Sequence, residues 1–452
     1  MRRIRRKSLP IVTVGAVVAL AVIASVAGAS RASASRPSAA IPPKSVSATV
    51  QEWNWDVAVD DPGEHAVIPL MIKSMKQQYP KVTIVNTSMT LTAQNDKLPL
   101  ALASSSSAPT VTQTNEGLEN QGRLVTDGEL IPLEPYDALY HWFGKVGKLP
   151  LAFNSWPSNH QMFGSGSVYG VPETGTVVGI FYNKPLLASV GGVPPTSWAT
   201  FTKDLALLAK AGKTAIAYGG GQPTAFQPSH VLWMLINRYV PAKTSFRFVS
   251  HQGSNPSIDL PGDVQAATTF QNWTKAGYFP KSFQGLSAAD ALNMFDAGKA
   301  GFFIEGNWYT ASVQSSLGNK AGFWAPPVVT GGPGEGWSIP THSSNPDVAA
   351  AIINTMLSPK IQNALLKYGD IPVVAPSAKA LSTASPLLRT AETVWNTTVK
   401  NGNLVPYMDW AYPDFLNQAM AGVAELQAGK TSPSKLMSSL QSDYVSYWKS
   451  HH

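Results

Sequence analysis

The chain has 452 residues, with 34 Lys and Arg against 27 Asp and Glu and no cysteine. That length favours two lobes or two to three domains, and the lack of cysteine excludes disulfides, thiolate-bound zinc, iron–sulfur clusters and thiol nucleophiles. Charged residues are only 13% and aromatic residues 10% of the chain, 13 of them Trp, which excludes a disordered polymer or coiled coil and leaves ample material for a large core.

The first forty residues read as an export segment. Arg2, Arg3, Arg5, Arg6 and Lys7 precede an uncharged stretch of seventeen residues, Ile11 to Ala27. Two small-residue cleavage patterns follow, Ala27-Gly28-Ala29 and Ala32-Ser33-Ala34. This is the layout of a secretory signal peptide over 1–34, cleaved after Ala29 or Ala34, with an uncleaved hydrophobic anchor as the competing reading. No Cys stands at the junction, so a lipid anchor there is excluded. Cleavage after Ala34 leaves 28 basic against 27 acidic residues, a balance of +1. The apparent basicity belongs to the export signal, and no basic run remains for nucleic acid.

Residues 35–47 are rich in Pro, Ser and Ala and read as a flexible leader. Ala48 to Trp55 reads as a strand. Val67, Leu70, Met71 and Met75 share one helical face, and Tyr79-Pro80 ends that helix. Lys81 to Asn86 alternates as a second strand, Asp96 to Ala103 is a short helix, and Pro109 to Thr112 a third strand. Val177 to Tyr182 is a buried strand. Pro194-Pro195-Thr196-Ser197 opens an amphipathic helix over Trp198 to Ala211. Helices are expected at 264–276 and 288–297, a buried strand at Gly301 to Glu305, and a helix from Trp308 to Leu317. Helices at 347–357, 359–368, 413–428 and 432–448 make up a helical C-terminal third. Strands alternating with helices imply an α/β fold with sheets covered on both faces.

Catalytic signatures are absent. None of the Gly-Lys pairs at 144, 147, 212, 298 and 429 has the glycine five residues earlier that a P-loop needs. There is no G-x-S-x-G and no H-E-x-x-H, and the Gly clusters 219–221 and 331–336 lack dinucleotide-binding spacing and read as turns or close backbone approaches. The His residues are dispersed, so neither a metal site nor any cofactor is expected; His65 and His230 read as solvated or core-edge side chains. Asp56, Glu116, Glu173, Glu305 and Asp409 are candidate carboxylates for a glycosidase pair, but sequence places no two of them at the required separation.

The informative pattern lies at the ends of strands. Trp53-Asn54-Trp55-Asp56 ends the first strand, Asn115-Glu116 follows the third, and Asn307-Trp308-Tyr309 follows the strand at 301–305. Open parallel sheets bind ligands at the carboxyl ends of their strands. An indole covers the apolar face of a sugar ring, while amides and carboxylates accept its hydroxyl protons. Trp337 and Trp410-Ala411-Tyr412 add further candidates.

These residues resemble the carbohydrate-binding group of extracellular solute-binding proteins of ABC importers, the maltose-binding-protein-like family 1. The resemblance covers roughly 48–448 in collinear order. Tyr79 to Thr83 is similar to the family's "F…P.IKV" step. Leu98 to Val111 is similar to its "L..A.ASG..PDV", with Thr110 where Asp is usual. Gly122-Arg123-Leu124 with Ile131-Pro132-Leu133 resembles "G.L.PL". Tyr169 to Pro172, Phe181 to Lys184 and Gly192 to Phe201 resemble "YGVP…YYNK…G…PPTTWDEF", the most specific segment. Phe295 to Gly301 with Gly306-Asn307-Trp308 resembles "F..GKAAM…G.W", and Tyr412 to Lys430 the terminal helices.

The resemblance implies a two-lobed, type II-like periplasmic-binding-protein fold whose discontinuous lobes are joined by hinge strands. The expected division is 48–155 plus about 300–345 for lobe 1 and 156–299 plus about 346–452 for lobe 2. It also implies an exported, non-catalytic, monomeric receptor that holds a sugar or oligosaccharide between its lobes and delivers it to a membrane ABC permease. The expected contacts are Trp53, Asp56, Asn115, Glu116, Glu173, Asn307, Trp308, Trp337 and Trp410. Thr110 and the unusual Asp60-Asp61-Pro62-Gly63-Glu64 bear on the contacts near the first strand. A secreted carbohydrate-active hydrolase and a receptor for a non-sugar solute are the alternatives.

Overall fold

The structure, a computed structural model, describes residues 38–57, 62–158, 162–221 and 226–451. The export segment and Asp60-Asp61 lie outside these. Ala39–His452 forms one compact unit. Its strands in chain order are β1 (Ala48–Asn54), β2 (Val82–Ser88), β3 (Val111–Thr114), β4 (Ser155–Trp156), β5 (Ser167–Val168), β6 (Val171–Pro172), β7 (Thr174–Asn183), β8 (Thr214–Ala217), β9 (Ala300–Gly306), β10 (Ala321–Trp324), β11 (Val329–Pro333), β12 (Gly336–Ser338), β13 (Ile371–Pro372) and β14 (Leu404–Val405). Two principal sheets result, and β4 pairs only with β5.

The first sheet has the order β2-β1-β3-β12-β6. Parallel pairing joins β1 to β2 and β3, and β12 is antiparallel to both β3 and β6. Helix α1 (Pro62–Gln78) and helix α2 (Leu91–Leu102) supply the crossovers between its parallel strands. The buried face of α1 carries Val67, Met71 and Met75 as its sequence spacing predicts, with Ile68 buried beside them and Leu70, expected in the same row, only half-buried. These residues share a core with Val50, Trp142, Trp337, Ile352 and Leu365.

The second sheet has the order β14-β11-β7-β9-β8, and β10 and β13 also pair with β7. Every residue of β9 is buried. Its GFFIE run carries no polar alternation because both faces of the strand are covered. Phe181, Phe201, Phe302 and Phe303 interlock there, with Phe201 edge-on to Phe302 at 4.8 Å between ring centroids.

The lobes divide the chain differently from the expectation. Strand β9 pairs antiparallel with β7 and parallel with β8, so 300–333 belongs to the second lobe rather than the first. The helices Pro346–Met356 and Pro359–Tyr368 bury Val348, Ile352, Ile353 and Leu365 in the first-lobe core, although they were expected in the second. An apolar strand or helix shows in sequence that it is buried, but not in which core. Residues 39–47, expected as a flexible leader, run along the first lobe: Ala39 and Val46 pack on its core, and the Ala40 N–H donates to Asp347 Oδ1 at 3.1 Å. The Gly-rich stretch read as turns or close backbone approaches is strand β11 running toward β12, and the close approach is present: a Cβ at Gly331 would fall 2.2 Å from the Thr176 carbonyl oxygen of β7.

The chain passes between the sheets three times: at Glu173 from β6 to β7, at Gly334-Glu335 from β11 to β12, and at Asp370 from the Pro359–Tyr368 helix into β13.

Helix Trp198–Lys210 begins as its sequence predicts. Ser197 accepts from the Thr200 N–H, and the Thr200 hydroxyl oxygen accepts from the Ser197 N–H, closing a capping box. Ser197→Ala is expected to destabilise the protein by about 1 kcal/mol in urea unfolding, the usual worth of such a cap; an unchanged midpoint would mean that packing alone holds this helix start.

Candidate functional site

On the first lobe the ends of β1 and β3 carry a dense polar network. Glu52 is wholly buried and accepts from Asn54 Nδ2 at 2.7 Å and Asn86 Nδ2 at 2.5 Å. Burial outweighs these donors and pushes its pKa up to about 7. Gln113, at the end of β3, organises the next turn. Its Oε1 accepts from the Trp55 N–H, and its Nε2 donates to Asp56 Oδ2 and Glu173 Oε1, both at 3.3 Å. Thr110, at the position where the family pattern has Asp, accepts from the Gln51 N–H at 3.1 Å and so fixes the entry to β3.

On the second lobe the carboxyl end of β9 meets the helix Gln227–Tyr239. Glu305 Oε2 lies 2.8 Å from His230 Nδ1. Burial opposes the imidazolium, but the charge and hydrogen bond of Glu305, with the charge of Asp409, outweigh it, and His230 titrates above its ordinary range. The Trp308 ring stands edge-on to His230 at 5.7 Å, Tyr407 lies 6.0 Å from His230 and Trp410 5.3 Å from Tyr407, between ring centroids. The result is an aromatic row bordered by Glu305 and Asp409.

The expected contact residues fall into two groups. Trp53, Asn115 and Trp308 are half-buried. Trp53 and Trp308 come from different lobes yet pack at the rim of the same apolar cluster. The others are inside. Trp337 is wholly buried among first-lobe side chains, and Trp410 is 4% exposed, edge-on to Phe153 and Phe163. Neither presents a free ring face. A central residue of a three-residue strand, and an aromatic in a short turn, carry no periodic sign of which way they face. Asn307 is committed to the backbone: its Oδ1 accepts from the Val177 N–H at 2.7 Å. Asp56, Glu116 and Glu173 are buried as well. Glu116 accepts from Asn154 Nδ2 at 2.9 Å, and burial raises its pKa well above the carboxylate range.

Sequence reasoning missed two members of this aromatic row: His230, which is paired in the interior rather than solvated or at the core edge, and Tyr407, whose hydroxyl donates to Thr176 Oγ1 at 3.1 Å. It also missed Glu64, which joins Asp56 and Glu173 in a buried carboxylate group. Only the acidic residue in the first turn of α1 hints at Glu64, and a helix start favours acid for its own reasons.

The lobes touch directly beside this site. Gly117, after β3, sits so close to the second lobe that a Cβ there would fall 2.4 Å from Trp410 Cβ, and its φ of 83° is one that L side chains rarely adopt.

Two α/β lobes, three crossings between them and half-buried indoles on both define a two-lobed binding protein. The chain belongs to the bacterial extracellular solute-binding protein family, which it matches over residues 71–390. Its fold is similar to that of a chitin oligosaccharide binding protein, with a TM-score of 0.72 at 20% identity, covering 88% of this chain and 98% of that one. It is also similar to the GacH receptor of Streptomyces glaucescens, solved unliganded and with acarbose, at a TM-score of 0.70 and 19% identity, covering 88% and 98%. Maltose-bound MalE3 of T. maritima gives a TM-score of 0.66 at 16% identity, again covering 88% and 98%. No curated protein matches the chain by sequence. Among the described residues, no helix is long and apolar enough to cross a membrane.

Two outcomes follow from this geometry. The His230 ring is expected to titrate above the ordinary value of about 6.5 in an NMR pH series. Its pairing then stabilises the fold fully below that value and fades as pH rises through the higher folded value. A ring titrating at or below the ordinary value would refute the ion pair. Second, a Cβ at Gly306 would fall 2.0 Å from the Trp308 ring. Gly306→Ala should therefore push the indole outward and red-shift the tryptophan emission; an unaltered spectrum would mean the ring had room.

Proposed function

We propose that this chain is the substrate-binding component of an ABC-type importer. It captures a sugar or oligosaccharide between its lobes and hands it to a membrane permease. The observation that carries this reading is the pair of half-buried indoles, Trp53 at the end of β1 and Trp308 after β9, which stand on different lobes at the edge of one apolar cluster. Each ring suits the apolar face of a pyranose. Asn115 and Asp409 supply acceptors for hydroxyl protons, and the His230 ring a donor. The chitin oligosaccharide, acarbose and maltose named for the structural relatives fit the same chemistry.

The mechanism is closure. A solute settles on one lobe, and the second lobe bends onto it about the three crossings. Only contacts made in the closed form favour closing. The receptor works as an exported monomer without a lipid anchor, released by cleavage of its N-terminal segment. It binds and does not turn over: Asp56, Glu116, Glu173 and Glu305 are each 2% exposed or less, which leaves Asp409 with no accessible second carboxylate across a glycosidic bond.

The test is calorimetry of the purified protein with chitin oligosaccharides, malto-oligosaccharides and acarbose. At least one should bind, and Trp308→Ala and Trp53→Ala should each weaken it by about tenfold or more, the equivalent of roughly 1.4 kcal/mol. The reading fails if no sugar binds, if both variants bind as the parent does, or if the protein hydrolyses oligosaccharides and Glu305→Gln abolishes that turnover.

A further inference from the structure

One oxygen of Glu305 holds two elements together. Its Oε2 accepts from His230 Nδ1 at 2.8 Å and from the Gly306 N–H at 3.2 Å. A carboxylate only accepts, so Nδ1 keeps its proton in this contact whether the imidazole is neutral or charged. The proton that comes and goes sits on Nε2, the ring nitrogen that Glu305 does not engage. His230 is 8% exposed, so the ring is not sealed off.

The same oxygen reaches the peptide against which Trp308 lies. The indole folds back over Gly306, 2.0 Å from where a Cβ would stand, and Asn307 Oδ1 anchors the residue between them on the Val177 N–H. The His230 ring meets the indole edge-on at 5.7 Å, with 60° between the planes, and Tyr407 at 6.0 Å and 57°. Helix Gln227–Tyr239, strand β9 and the segment carrying Tyr407 and Asp409 thus converge on one imidazole.

Three titratable groups face it: Glu305 from β9, and Tyr407 and Asp409 from that segment. Burial raises the Asp409 carboxyl, and the charge of His230 pulls it partly back. Burial above all, with the charges of Asp409, Glu335 and Glu305, holds the Tyr407 phenol above its ordinary value of about 10. From the segment after β3, Glu119 approaches Asp409; partial desolvation, with the charges of Asp409 and Asp414, pushes its carboxyl up to about 7.

We propose that His230 is a specificity-determining member of the solute site: clamped by Glu305, it sets the tilt of the Trp308 indole and presents Nε2 to a solute oxygen, as a charged donor at neutral and mildly acidic pH and as a bare acceptor in alkali. The proposal rests on the receptor reading above and ties solute affinity to the charge of one ring. A charged donor makes a hydrogen bond roughly twice as strong as a neutral one. Burial opposes the imidazolium, and Glu305 and Asp409 overcome that, so the charged donor is fully present below about 6.5 and is lost as pH rises through the higher folded value.

The experiment takes the full chain through two titrations from about pH 6 to about pH 9.5. The first, without solute, follows tryptophan emission. An imidazolium perturbs a neighbouring indole more than a neutral imidazole does, so a step is expected that is absent from His230→Gln and from Trp308→Phe. The second is calorimetry with chitin oligosaccharides and malto-oligosaccharides, which carry no charge, so only the protein titrates. Affinity should fall at least about fivefold across the same step. His230→Gln should bind with a flat pH profile, and Glu305→Gln should move the step to lower pH, which a merely structural role would not do. Glu119→Gln, and His342→Gln at an exposed histidine, should leave the step in place. The proposal is overturned if the emission step survives in His230→Gln, if sugar binds with one affinity across the range, or if the affinity step disappears in Glu119→Gln. If His230→Gln does not fold, the direction of the shift in Glu305→Gln decides. A sugar that binds with a flat profile overturns this proposal and leaves the receptor reading standing, whereas no binding at any pH overturns both.

Discussion

The main-chain carbonyl of Glu173 accepts from the Val373 N–H at 2.9 Å and from Gln362 Nε2 at 3.1 Å, and the carbonyl of the next residue, Thr174, accepts from the Gly334 N–H at 2.8 Å. Those three hydrogen bonds tie all three passages between the sheets to one peptide unit and its neighbour. Had the passages been separate, the lobes could twist, slide or bend. Bound together within two residues, they confine the proposed closure to one narrow line. The position of each binding side chain relative to the other lobe depends on that line.

Around it the molecule separates support from contact. Trp337 and Trp410 are packed away, and their burial fixes the elements beside the exposed faces. Trp410 fills the space that Gly117 leaves open, so the loop after β3 and the turn Met408–Ala411 meet without a gap. Asn307 spends its amide on the β7 backbone, which holds Trp308 at the strand end. The rings left partly open, Trp53 and Trp308, are presented by neighbours that cannot easily move. Such preorganisation lowers the ordering cost of binding, since few side chains must be immobilised when a solute arrives.

Much of the architecture was legible in the sequence, for reasons that differ by element. The strand over 177–182 and the GFFIE run were recognisable because continuous apolar residues bounded by turn signals mean burial on both faces, and Ser197 announced its helix by cap chemistry. Helix Gln227–Tyr239 escaped because its polar residues Gln227, Ser229, His230 and Asn237 are buried along with its apolar ones and mark no solvent face. The lobe assignment of 300–333 and 346–370 was not legible, because pairing partners are a property of the assembled sheet. Among candidate site residues, Trp53, Asn115 and Trp308 are the strand-end side chains left half-buried, an exposure that the sequence does not encode. His230 was invisible as Glu305's partner, since 75 residues separate them, and the meeting of Asp56, Glu64 and Glu173 depends on a crossover and a passage between sheets that no local spacing encodes.

The discontinuity of the lobes also has a temporal side. Strand β12 is the link between β3 and β6 in the first sheet, and the helices that cover part of that core end at Tyr368. A ribosome that has made the first 330 residues has made β1, β2, β3 and β6 but not the strand that unites them. The N-terminal lobe thus awaits a late segment, and the second lobe awaits still later ones, β13 and β14. Contacts of such long sequence separation slow folding, so completion of both sheets waits on the last third of the chain.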